Sequence, residues 1–209
     1  MTSFTKNSLG LGLAISAALA VQADVDFHVS LDTSSLVGNA SGPFSLDFQL
    51  NQGDGSVVNT ATISGFGYSG GHAVGSATLF GGATGSLATG FTLTTSSFLN
   101  EAYQQFSPGS KLGFDVVLTT LDEPTTPDSF SFSILDGSSS SIPTTGLGNS
   151  LLQGNISHTL TFPGLTVGSG TGSFATVTLV TTPEPATTGL VVASALGLAA
   201  VVIRRNRRA

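Results

Sequence analysis

The strongest constraint on this chain is a two-residue rhythm. The stretch "VDFHVSL" sets Val25, Phe27, Val29 and Leu31 on one side of an extended backbone, and Asp26, His28 and Ser30 on the other. "FSLDFQL" repeats the pattern with Phe44, Leu46, Phe48 and Leu50, "LGFDVVL" with Leu112, Phe114, Val116 and Leu118, and "FSFSI" with Phe130, Phe132 and Ile134. "TLTF" and "FATVTLV" read as two further strands. Successive strand side chains point to opposite faces, so segments written this way bury one face and leave the other in water. Turn formers fall between them, at Gly38 to Pro43, Gly53-Asp54-Gly55, Pro108-Gly109, Pro124 to Pro127, Asp136-Gly137 and Pro163-Gly164. About eight to eleven short strands so spaced predict an all-β chain, an antiparallel β-sandwich of jelly-roll-like type. The spacing is too uneven for a solenoid, which would repeat at a fixed period. Outside the two ends, "SSFLNEAYQQF", Ser96 to Phe106, is the one stretch expected to form a helical turn or two.

Composition narrows the chemistry. The 209 residues contain no cysteine, which excludes disulfides, thiolate metal ligands and a thiol nucleophile together. Charged residues make up only 9%, and their distribution matters more than their number. Lys6 lies near the start, and Arg204, Arg205, Arg207 and Arg208 lie at the end. Between Asp24 and Thr182 eleven acidic residues face the single Lys111, a net charge of −10. Such a segment repels phosphate backbones, so no nucleic-acid partner is expected.

Both ends read as addresses. "MTSFTKNSLGLGLAISAALAVQAD" places one lysine before an apolar stretch, then small residues up to Ala23. That is the layout of a secretory signal peptide over residues 1–23, cleaved between Ala23 and Asp24. At the other end, residues 186–203 carry no charge. As a helix they would reach roughly 27 Å, close to the hydrocarbon thickness of a bilayer. The arginines of residues 204–209 favour the cytoplasmic side, leaving residues 24–182 outside the cytoplasm. Pro183, Glu184 and Pro185 stand immediately before the apolar segment as a stiff, extended spacer.

This order of triplet, single span and arginine-rich tail, over residues 183–209, resembles the PEP-CTERM sorting signal. The resemblance implies processing by an exosortase, a membrane enzyme with a catalytic cysteine that recognises the Pro-Glu-Pro motif at the inner membrane. Its hosts are Gram-negative bacteria that make exopolysaccharide. It also implies a final place at the cell surface or in the extracellular matrix, where biofilm polymers are found. It implies no activity, because proteins sharing this tail are otherwise diverse. "DSFSFSILDGSSSSIPTT", Asp128 to Thr145, is similar to a segment of one uncharacterised, β-rich group with the same tail.

Within residues 24–182 the catalytic strings are weak. In "GFGYSGGH", Gly65, Gly67 and Gly70 fit G-x-G-x-x-G, but no helix can follow to face a pyrophosphate. Ser69 fits G-x-S-x-G, and Asp115 and His158 follow it in the chain order of an α/β-hydrolase triad. That elbow needs a strand turning into a helix above a parallel sheet, so a glycine-rich hairpin or loop is the expected structure. His28, His72 and His158 do not share metal-ligand spacing. Asp122, Glu123 and Asp128 share a loop, and Asp136 closes the next strand; these four are the candidate Ca²⁺ ligands, and Asp54 lies in a Gly-Asp-Gly turn. Tyr68 and Tyr103 are the aromatic residues expected to be exposed, while the fourteen phenylalanines mostly fall on core positions.

The expected function is therefore a non-catalytic, exported structural or interaction domain associated with exopolysaccharide and needing no cofactor. A Ca²⁺-stabilised carbohydrate-binding module is the alternative. A hydrolase using Ser69, Asp115 or Glu101 is the third reading.

Overall fold

The computed structural model describes residues 24–143 and 150–156, together with the backbone of strand residues 144–145, 166–167, 169–170 and 178–181. The cleavage site side of Ala23, the Pro183–Pro185 triplet, the apolar segment 186–203, the terminal arginines and His158 lie outside the described residues, as does "TLTF". Among the described residues no helix is long and apolar enough to cross a membrane.

Fifteen strands are described: β1 (Val25–Asp32), β2 (Phe44–Asn51), β3 (Thr60–Gly67), β4 (His72–Ala73), β5 (Thr78–Phe80), β6 (Gly82–Ser86), β7 (Gly90–Thr94), β8 (Leu99–Ser107), β9 (Lys111–Leu118), β10 (Ser129–Leu135), β11 (Thr144–Thr145), β12 (Leu152–Asn155), β13 (Thr166–Val167), β14 (Ser169–Gly170) and β15 (Thr178–Thr181). One 3₁₀ turn, Ser34–Leu36, is the helical content described. The first sheet runs β15-β1-β9-β3-β7-β6; the second runs β13-β12-β10-β2-β8-β4, with β5 also paired to β8. Every described pairing is antiparallel, and β11 and β14 form a small separate ribbon. Among the described residues the chain is all-β, as the alternation implies.

The sheets face each other across the residues the rhythm put inside. Phe27, Val29 and Leu31 of β1, Phe44, Leu46, Phe48 and Leu50 of β2, and Leu112, Phe114, Val116 and Leu118 of β9 are all buried. Phe48 of the second sheet meets Phe114 of the first edge-on, with ring centroids 5.3 Å apart, and stacks on Phe132 at 4.8 Å. Phe114 meets Phe132 at 4.9 Å, and Phe91 lies 5.8 Å from Phe48. Edge-to-face contacts of this kind add to the burial of large apolar surface.

Two expectations need correcting. Ser96 to Phe106 does not make helical turns; residues 99–107 form β8, paired along its length with β2. The inward positions of β8 are Asn100, Ala102, Gln104 and Phe106, all buried, so its core face carries two amides. Asn100 donates to the Leu50 and Ser97 carbonyls and accepts from Gly82 N–H, while Gln104 donates to Gly75 and accepts from Leu87 N–H. The polar rhythm of this strand answers the backbone of its neighbours, which hides the alternation. The second correction concerns Tyr68. It is partly buried, with its ring 6.4 Å from Phe66 and 6.5 Å from Phe106, and its hydroxyl is enclosed without a hydrogen-bond partner. Burial pushes its phenol up to about 12.

Candidate binding face

The polar face of β2 supplies the most chemically loaded surface. Its core residues being Phe44, Leu46, Phe48 and Leu50, strand alternation sends Asp47 and Gln49 to the outer side of the second sheet. In the ladder Asp47 stands opposite Tyr103 of β8 and Ser133 of β10, and Gln49 opposite Glu101 and Ser131. Asp47 and Glu101 are thus diagonal neighbours on one face, a separation long side chains bridge. The Gln49 amide nitrogen joins them, donating to Asp47 Oδ2 at 2.9 Å and to Glu101 Oε1 at 3.1 Å.

Asp47 is only 4% exposed although it lies on an outer face, and its Oδ1 is enclosed with no hydrogen-bond partner. Burial, then the charge of Glu101, then a hydrogen bond between the two carboxyls, push Asp47 up to about 7, with Gln49 opposing. Asp47 therefore takes up a proton more readily than an ordinary aspartate. Glu101 itself is half-buried and reaches the surface.

Aromatic and apolar side chains surround this pair. Phe80 of β5 is the direct ladder partner of Glu101 and is 49% exposed. Its ring lies 6.5 Å from that of Tyr103, nearly parallel at 23°. Leu99, also exposed, precedes Glu101 on the same face of β8. Tyr103 and Glu101 were visible as chemistry in the sequence; Asp47, Gln49 and Phe80 were not singled out. The signal for the first two was a carboxylate and an amide on the polar face of "FSLDFQL". For Phe80 no periodicity points outward, because β5 is a three-residue strand that runs straight into Gly81 and Gly82.

The four candidate Ca²⁺ ligands do not converge. Asp136 follows β10 and Asp128 precedes it, so about 25 Å of extended chain separates them. Asp136 closes its own turn, accepting from Ser138 N–H, Ser138 Oγ and Ser140 N–H, which lowers its carboxyl below the ordinary value. Asp128 is completely buried; Oδ1 accepts from Gly53 N–H at 2.7 Å and Oδ2 from the Asn59 amide at 2.9 Å. Glu123 accepts from the backbone of Asp54 and Gly55, and Asp54 from Thr125 and Ser56. Asp122 is exposed in the same loop. Asp54, Glu123 and Asp128 pin loops 52–56 and 121–128 through N–H donors, the role that a loop-bound calcium would have. Among the described residues no group of three or more acidic or histidine side chains is arranged around a possible ion.

The serine-triad reading fares no better geometrically. Ser69 sits in an exposed turn at φ 40°, and its carbonyl accepts from Ser110 N–H at 3.2 Å. Asp115 is five residues from Ser110 along β9, about 16 Å away. Asp115 instead meets His28 Nδ1 at 2.6 Å on the outer face of the first sheet, both side chains being about half exposed. Gly65, at the irregularity of β3 and at φ 67°, leaves room for Asp115, which a side chain there would strike. The glycine-rich string is indeed a turn, but a tightly packed one. Gly71 and Gly109 place loops 68–71 and 107–110 backbone against backbone, so a Cβ on either would collide with a carbonyl of the other loop. Two small clefts, of about 250 and 240 Å³, flank Asn39 and Phe44 at one end of the sheets; their walls are mostly apolar.

The chain matches no family model, no curated protein and no solved structure.

Proposed function

We propose that this is an exported, exosortase-sorted protein of the cell surface or extracellular matrix, whose β-sandwich domain binds exopolysaccharide without transforming it. The observation that carries the binding role is the outer face built from Asp47, Gln49, Glu101, Tyr103 and Phe80. A flat sheet face with two near-parallel aromatic rings beside a carboxyl-amide-carboxyl row suits an extended sugar chain. The rings offer apolar platforms for pyranose faces, and the row offers acceptors and donors for hydroxyl groups. The jelly-roll reading is supported by the strand orders β1-β9-β3-β7 and β10-β2-β8-β5, in which the chain crosses between the sheets from β1 to β2, β2 to β3, β7 to β8, β8 to β9 and β9 to β10. The sorting role rests on the signal peptide and on the tail of residues 183–209.

Binding of the purified 24–182 segment to a glycan array tests the domain. Retention of at least one polysaccharide, weakened tenfold or more by Tyr103→Ala, is expected; no retention of any glycan overturns the reading. The mass of the mature protein from the cell surface tests the sorting. A chain ending before Ala186 is expected, and recovery of Arg204 to Ala209 in membranes contradicts processing.

A further inference from the structure

We infer that the face around Glu101 is a site for a sugar-borne ammonium, so that the polymer it takes is an amino-sugar chain with free amines. The inference rests on the glycan-binding reading and names the ligand class within it.

Charge excludes one class first. With eleven acidic residues and one lysine in residues 24–182, the domain repels uronate- or pyruvate-bearing polymers. The sole lysine, Lys111, belongs to β9 in the first sheet, away from this face. Neutral and cationic polymers remain, and local geometry divides them. Two carboxyls share one face, and Gln49 spends a single amide nitrogen on both. Asp47 Oδ1 is left enclosed and unpartnered. A neutral hydroxyl can satisfy an acceptor but cannot neutralise a carboxylate pair, whereas an ammonium supplies three donors and the missing charge.

The surroundings suit a cation equally well. Phe80 stands directly across the ladder from Glu101, and Tyr103 lies two residues along on the same face. An ammonium held by Glu101 would lie beside two π-faces, the arrangement that binds organic cations. Among the described residues the strands beside Glu101, β2, β5 and β10, bring no acidic or basic side chain other than Asp47 to this face. β10 contributes Ser131 and Ser133 to the face, and β5 contributes Thr78 and Phe80. His72 of β4 lies opposite Ser107, six residues from Glu101 along β8, about 20 Å away. Asp47 sits beneath as a positioning residue. An ammonium held by Glu101 favours the ionised form of the Asp47 carboxyl beneath it, so binding releases protons.

The test titrates the full chain, purified in detergent, with three probes at low salt. These are a glucosamine hexamer with free amines, its fully N-acetylated form, and a polyuronate. The free-amine hexamer should bind at least tenfold tighter than the acetylated one, and the polyuronate should not bind. Raising sodium chloride from 50 to 500 mM should narrow that preference, and Glu101→Gln should abolish it while the melting temperature shows the fold intact. Asp47→Asn should reduce proton release on binding to background. Equal or tighter binding of the acetylated hexamer, still weakened by Tyr103→Ala, would overturn the ammonium site and leave glycan binding standing. Failure of every glycan would sink the underlying reading itself. Tight binding of Ca²⁺ alone, removed by Glu101→Gln, would assign the pair to a metal and also overturn the inference.

Discussion

A buried hydroxyl with nothing to bond is the clearest residue-level cost in this molecule. Tyr68 Oη is enclosed without a partner, while its ring packs against Phe66 and Phe106. An unsatisfied buried polar group costs roughly 1–3 kcal/mol, whereas removing it leaves the ring's burial intact. Tyr68→Phe should therefore leave stability unchanged or raise it by up to about 1 kcal/mol, measured by denaturant unfolding. A loss of stability would show that the hydroxyl has a partner after all. Asp128 is the opposite case, because each of its oxygens is used. Asp128→Ala would leave Gly53 N–H and one of the two Asn59 amide hydrogens without an acceptor, the other staying on the Leu121 carbonyl, at an expected cost of about 2–4 kcal/mol. Asp128→Asn keeps an acceptor for Gly53 but sets two amide donors face to face, so a smaller loss is expected. If Ca²⁺ rather than hydrogen bonding held this corner, adding a chelator to the wild type would reproduce the alanine effect; none is expected.

Among the elements, legibility followed the chemistry of the inward face. β1, β2, β9 and β10 were readable because hydrophobic residues occupy every core position tested, from Phe27 to Ile134. β8 is not legible as a strand because Asn100 and Gln104 occupy its core face and spend themselves on the backbones of Leu50, Gly82, Gly75 and Leu87. No local pattern announces such partners, which come from residues up to fifty positions away. The binding face was half legible for a related reason. Glu101 and Tyr103 stood out singly, but their meeting with Asp47 and Phe80 is a matter of strand register. The Ca²⁺ expectation failed to converge because β10 carries Asp136 away from Asp128, a consequence of strand length. Loop contacts are the least legible of all, and Gly109 tests one of them. Its missing side chain lets loop 107–110 lie on loop 68–71, so Gly109→Ala should cost about 2 kcal/mol or more. A neutral result in thermal unfolding would mean that the two backbones separate easily.

At the scale of the whole molecule, carboxyl groups pull stability in opposite directions with pH. Asp32, Asp54 and Asp136 are held below their ordinary value by Ser and Thr donors, Asp32 chiefly by Ser34. Their contribution is present above pH 3.8, the unfolded value, and is lost as pH falls below it. Asp47 runs the other way. Burial raises it from 3.8 to about 7, so the folded chain binds more protons than the unfolded one across that interval. Its contribution is complete below pH 3.8 and is lost as pH rises through about 7. The acidic excess of the domain adds to this, since every carboxylate formed increases self-repulsion. Stability should therefore peak near pH 4 and decline to about pH 7, by on the order of 2 kcal/mol from Asp47, with no further loss from this group above that. Thermal melts from pH 3 to 9 check the curve. Asp47→Asn should flatten its neutral limb and leave the acid limb in place, because the exposed turns are untouched. A wild-type curve that rises from pH 5 to 8 would show Asp47 to be ionised and paired, against the upward shift that its burial gives it.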